Sequence, residues 1–204
     1  MYTSLQSIFK SFLMKPLSLK PHSLLKILVI FSFHISCKNY DPGPSTPIPV
    51  FHYNQPNFIT SLDPIFAKSQ NNIWAVDHIF NQLVDLDDSM QLKPELAESW
   101  TISEGGKTFR FRVRRGVRFH NDPCFGKNTT RTITAKDVLY SFQRLIDPQI
   151  GSPGSWIFKD KLAPVNGFEA EGDSVFIIRL KTGFSPMLKL LTMQYCSIMP
   201  IEAI

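Results

Sequence analysis

His120, Asp122 and Cys124 alternate along one short stretch, and an imidazole, a carboxylate and a thiol are the side chains from which metal sites and activated nucleophiles are built. Their spacing is not that of a ligand set. Asp85, Asp87 and Asp88 resemble the start of a calcium loop, but the required glycine and distant bidentate glutamate are missing, so an acidic turn is the better reading. His78 has no second histidine or carboxylate four residues away and is expected at the surface or core edge. The chain carries no Gly-x-Ser-x-Gly, phosphate loop or dinucleotide fingerprint. Binding without catalysis, cofactor or metal is therefore expected.

Cys37 is a different kind of candidate. The first 37 residues hold Lys10, Lys15, Lys20 and Lys26, no acidic residue, an apolar run from Ile27 to Ile35, and then Ser36-Cys37. That order is a secretory signal, too short in its apolar part to span a bilayer of about 30 Å. A cysteine after a small residue matches bacterial lipoprotein signals, with Cys37 as the lipid attachment site. Residues 38–49 follow with four prolines and little apolar surface, the composition of an extended spacer that holds a domain off a membrane. Translation from Met14 would leave a leader of ordinary length.

Charge excludes one class of partner. The sequence pI is about 9.1, but four of the 22 Lys and Arg residues lie in the leader; the remaining 18 face 17 Asp and Glu, a net charge of +1. A nearly neutral mature chain has no global attraction to nucleic acid. Locally, Lys107 to Arg131 is basic, yet Arg110, Arg112 and Arg114 alternate with Phe109, Phe111 and Val113 as the solvent side of a half-buried strand does. No nucleic-acid partner is expected.

The elements that must position any site read as mixed α/β. A first strand is expected at Val50–Tyr53 and an amphipathic helix over Asn72–Leu83, with Ile73, Val76, Ile79, Phe80 and Leu83 on its apolar side. Residues 97–102 and 108–113 flank a glycine-containing connection and predict a β-hairpin. Thr134, with Asp137 three residues on, caps a helix running to Ile146, where Asp147-Pro148 stops it. A strand is expected over 173–180, and a short helix from Ser185-Pro186 to Leu191. The core is expected to take Phe109, Phe111, Val113, Val138, Leu139, Phe142, Leu145 and Phe176. Cys124 and Cys196 either pair across a loop of about 70 residues or remain two separate buried thiols.

Four runs stand in one order: Leu62-Asp63-Pro64, Leu92-Lys93-Pro94-Glu95-Leu96-Ala97-Glu98-Ser99-Trp100, Gly116-Val117-Arg118-Phe119-His120, and Thr134-Ala135-Lys136-Asp137-Val138-Leu139-Tyr140-Ser141-Phe142. Together they resemble the opening of the family 5 extracellular solute-binding proteins, which deliver oligopeptides, dipeptides and similar solutes to ABC importers. The resemblance covers about Val50 to Ala203. It implies a periplasmic-binding-protein-like fold (type II, peptide-binding subgroup), incomplete because family members are more than twice as long. The implied organisation is a signal over 1–37, a spacer over 38–49, the start of a large lobe over 50–82, a small α/β domain over 83–199 and a return toward the large lobe over 200–204. His120 would serve the structure of the small domain.

Function and partners follow from the same resemblance. It implies a monomeric substrate-binding lipoprotein on the periplasmic side of a bacterial membrane, capturing peptides for ABC permease subunits. Ala67, Lys68, Ser69 and Gln70 would supply main-chain contacts to the peptide. Trp156 would form an aromatic wall in Ser152-Pro153-Gly154-Ser155-Trp156, where relatives often carry an aromatic residue at the glycine. Lys68 to Gln70 as a solvated loop and Trp156 as core are the plainer alternatives. The acidic grip on a peptide amino terminus falls in the later part of the family's sequence, so this chain is expected to be binding-incompetent alone. Relatives carrying nickel, haem or sugar, and a lipid-tethered interaction module without a transport role, are the competing readings.

Overall fold

The sheet grows from one hairpin. In the computed structural model, which describes residues 52–55 and 57–204, β3 (Ala97–Ser103) and β4 (Thr108–Val113) pair with Thr101 opposite Arg110 and Ser103 opposite Thr108. Phe109, Phe111 and Val113 are buried while Arg110 and Arg112 face solvent, as the period of two requires. β6 (Val175–Arg179) pairs with the free edge of β4, and β5 (Phe168–Glu171) pairs with β6, giving an antiparallel order β3-β4-β6-β5. Ahead of these, β1 (Val84–Leu86) and β2 (Leu92–Pro94) form a separate two-stranded ladder. Between them Asp87 accepts from the amides of Ser89 and Gln91, which is the acidic turn. Residues 54–204 pack as one unit.

Three helices complete this unit: α1 (Gln70–Asp77), α2 (Ala135–Ile146) and α3 (Met187–Leu190). Thr134 caps α2, its amide donating to Asp137 Oδ2 at 2.9 Å, and the chain leaves the helix at Asp147 as the following proline demands. The apolar side of α2 crosses β5 and β6. There Phe142 meets the rings of Phe158 at 5.4 Å, Phe168 at 5.5 Å and Phe176 at 5.1 Å. The pairs with Phe168 and Phe176 are edge-to-face, and aromatic pairs of this kind contribute about 0.5–1.5 kcal/mol each beyond area burial. Of the expected core residues only Leu139 stays partly accessible, packed against the cluster from outside.

Several expectations need correction. The helix expected over 72–83 starts earlier and ends sooner. Ser69 Oγ accepts from Asn72 N and so sets the start of α1. At the other end Asn81 O is taken by the amide of Ile198 at 3.0 Å, and Gln82 Nε2 donates to Ser197 Oγ at 2.9 Å. These ties to distant residues draw 81–83 out of the helix and deliver the fully buried Leu83 to β1. Asn72, Ala75 and Val76 form the buried side, whereas Ile79 is exposed.

The expected first strand lies partly outside the described residues, and His52 and Tyr53 are not in a strand. The strand over 173–180 narrows to β6, and Pro186, not Ser185, occupies the cap position of α3. Cys124 and Cys196 are free thiols, not a disulfide; desolvation raises both above the ordinary thiol range. The leader, Cys37 and the proline-rich spacer lie outside the described residues.

Candidate functional site

Asp63 does two jobs at once. Its Oδ1 accepts from Ile65 N at 3.3 Å and caps the 3-10 turn Pro64–Phe66, while the carboxylate receives both Nη1 (2.8 Å) and Nη2 (2.5 Å) of Arg144 from the last turn of α2. The Arg144 side chain is only 10% exposed, and the hydrogen bond to Asp63 raises its guanidinium above the usual range. The Leu-Asp-Pro turn is thus fixed to a helix residue 81 positions later in the chain.

A second bond strengthens that tie. Ser152, buried at 3% exposure, donates from Oγ to Ile65 O at 2.7 Å and accepts from Gly154 N at 3.1 Å. One hydroxyl therefore joins the turn after Leu-Asp-Pro to the Ser-Pro-Gly-Ser-Trp loop, so the two segments expected to contact ligand are neighbours in space. Ala67 closes the turn, donating its amide to Pro64 O, and is buried at 1%. Lys68, Ser69 and Gln70 are exposed and lead into α1, whose first amides have no intrahelical acceptor.

Trp156 occupies the 3-10 turn Ser155–Ile157, and the two residues part company there. Ile157 is fully buried, while Trp156 is 46% exposed, so the tryptophan is not a core residue. Of the expected contact residues, Ala67 is buried with its amide committed to Pro64 O, and the other four are exposed.

A separate cavity of about 250 Å³ lies among Phe80, Val117, Phe119, Phe125, Ile133 and Ile198. His120, Asp122 and Cys124 line it. Asp122 Oδ1 accepts from Cys124 N at 2.8 Å, and that amide holds its carboxyl below the usual carboxylate range, so it serves as a turn cap. His120 is exposed. Among the described residues no group of three His, Cys, Asp or Glu is placed to hold a metal.

Arg131, beside this cavity, was not anticipated as a structural centre. Its guanidinium reaches Asp137 at 2.5 and 2.8 Å and Glu202 at 2.6 and 2.7 Å, and lies 5.1 Å from the Phe119 ring centroid and 5.7 Å from that of Phe125. The basic strand face is also paired: Arg110 with Glu171, Arg112 with Glu98 and Arg179 with Glu169. Sequence gave no signal for these partners, which lie on other strands.

A family model described as "Bacterial extracellular solute-binding proteins, family 5 Middle" matches residues 91–202. "Probable di/tripeptide-binding protein 5" of Pseudomonas aeruginosa is 32% identical over 136 residues, which cover 63% of this chain and 26% of that protein. "Dipeptide-binding protein" of the same organism is 44% identical over 70 residues, covering 34% of this chain and 13% of that protein. Among solved structures, the periplasmic binding protein DppA from Helicobacter pylori, in complex with the peptide STSA, superposes with a TM-score of 0.61 and 29% identity. That match covers 71% of this chain and 29% of the other. The chain thus spans about a quarter of the length of the first of these relatives.

Proposed function

Because this chain belongs to the bacterial extracellular solute-binding proteins of family 5, we propose that it contributes to capturing peptides outside the inner membrane for an ABC importer. One observation carries the reading. The bond from Ser152 Oγ to Ile65 O gathers the segment that continues into Ala67, Lys68, Ser69 and Gln70 and the loop that bears Trp156. In the proposal those four residues meet the peptide main chain and Trp156 lines its side chains. The exposed residues Lys68 to Gln70 beside an exposed aromatic are suited to a ligand read mainly through its peptide groups. The name of the DppA complex and the names of the di/tripeptide-binding relatives support the same ligand class.

The organisation proposed is the beginning of a large lobe over 50–82, a small domain over 83–199 and a return toward the large lobe over 200–204. Peptide is bound, not chemically altered. As a separate polypeptide, residues 38–204 are proposed to be monomeric and to hold di- to pentapeptides more weakly than about millimolar, because the contacts come from one open surface. Calorimetry showing micromolar binding would remove that part of the reading. The function itself is tested by uptake of labelled di- and tripeptides. Deleting the coding region should reduce uptake and restoring it should recover it; unchanged uptake of every peptide tried would refute the proposal.

Attachment is proposed through a lipid on Cys37 after export, on the order of basic residues, apolar run and Ser36-Cys37 followed by spacer. Metabolic labelling with a fatty-acid analogue should mark the natural protein and not Cys37→Ala. Equal labelling of both would show that the lipid is elsewhere or absent.

A further inference from the structure

Gly154 has backbone angles of −82° and −7°, which any amino acid adopts, so its identity is not a matter of conformational freedom. Space decides it. A Cβ at this position would stand 2.4 Å from Cγ of Tyr195 and 2.7 Å from its Cβ and Cδ1, well inside van der Waals contact. The tyrosine therefore lies against a bare α-carbon, and a side chain at 154 and the ring at 195 exclude each other.

Tyr195 stands where the candidate segments converge. It belongs to the 3-10 turn Gln194–Cys196, which packs on the turn Pro64–Phe66. Gly154, beneath its ring, hangs from the same Ser152 hydroxyl that donates to Ile65 O. The ring packs against the core but is only half-buried. Burial raises its phenol above the ordinary tyrosine range, and no charge or hydrogen bond contributes to that shift. A ring needed only as filler at such a junction would be covered. A partly accessible tyrosine whose hydroxyl has no hydrogen-bond partner among the described residues can offer ring surface and a polar rim to a ligand.

We propose that Tyr195 is a specificity-determining residue of the peptide site, its exposed face receiving a large apolar or aromatic side chain of the bound peptide, and that Gly154 is glycine to let the ring lie there. The inference rests on the peptide reading above and adds which side chains are preferred.

The test is a titration of the purified protein with Ala-Ala-Ala and with Ala-Phe-Ala, into the tens of millimolar, following backbone amide shifts at 67–70 and 154–156 by NMR. Wild type should bind the phenylalanine peptide about three- to tenfold more tightly, the range expected of one aromatic contact. Tyr195→Leu, which removes the ring, and Gly154→Ala, which displaces it, should bring that ratio close to one. Tyr195→Phe should retain it. A merely structural role would weaken both peptides alike and leave the ratio unchanged. If Tyr195→Leu and Gly154→Ala keep the wild-type ratio while amides 67–70 still respond, or if wild type itself shows no preference, the role of Tyr195 is overturned and the peptide reading stands. If no amide responds to either peptide, the peptide reading falls and this inference with it.

Discussion

The two ends of α2 are each held by an arginine gripping a carboxylate with both nitrogens, yet they hold different things. At the amino end Arg131 lies near two phenylalanine rings and binds Asp137 and Glu202 together; Asp137 also accepts from the amide of the capping residue Thr134, and its side chain is only 3% exposed. At the carboxyl end Arg144 binds Asp63 alone, with a long contact to Met199 Sδ, and the Asp63 side chain is 24% exposed. Both pairs suit the helix dipole, acid in the first turn and base in the last. The amino end closes structure on structure, fixing 201–203 beside an apolar cavity. The carboxyl end, by contrast, fixes a turn whose continuation, Lys68 to Gln70, remains open to solvent. Similar chemistry thus serves as internal fastening at one end and as support for an exposed surface at the other.

The largest effect should come from removing what both ends depend on. Phe142 is fully buried at the middle of α2 amid three other rings, and Phe142→Ala should cost about 3 to 5 kcal/mol of unfolding free energy. Denaturant titration checks this. A loss below about 1 kcal/mol would mean that the ring cluster does not hold α2 to the sheet and that the two ends act independently.

The next effect separates the ends. Arg131→Met leaves Asp137 buried without its partner and should cost about 2 to 3 kcal/mol, below the range for fully buried pairs because Arg131 is 29% exposed. Arg144→Met leaves the more accessible Asp63 and should cost about 1 to 2 kcal/mol. Location should differ more than size. Hydrogen exchange in the Arg144 variant should quicken at 65–70 and leave 201–203 unchanged, with the reverse in the Arg131 variant. Equal quickening at both places in either variant would erase the distinction.

A smaller effect is set by pH. Arg131 holds the Glu202 carboxyl below its usual value of 4.5. A depressed folded-state value means that this contribution is complete near neutrality and is lost as pH falls through the folded-state value, itself below 4.5. Acidification into that window should lower the protection of the Ala203 amide, which donates to Pro200 O, measured against the intrinsic exchange rate at each pH. In Arg131→Met the same acidification should have little additional effect. A wild-type profile flat across this window would show that Glu202 contributes nothing at the amino end.

Features under local control could be read directly from the order of residues. The hairpin over 97–113 was legible because alternation and a glycine-containing connection act within a few residues, and α2 was legible from its cap, stripe and proline stop. The four ordered runs pointed to the family, and from that resemblance Ala67, Lys68, Ser69, Gln70 and Trp156 are the expected contacts. Tertiary structure alone decided the rest. The helix before β1 stops at Asp77 because Ile198 and Ser197 claim Asn81 and Gln82 from more than a hundred residues away. Trp156 faces outward because its neighbour Ile157 takes the buried position. Gly154 is explained only by Tyr195, and the turn after Asp63 meets the Trp156 loop only through Ser152. The helix end, Gly154 and the Ser152 link each rest on a hydrogen bond or a close contact between residues far apart in the chain, and no short-range period or cap encodes which distant atom will arrive.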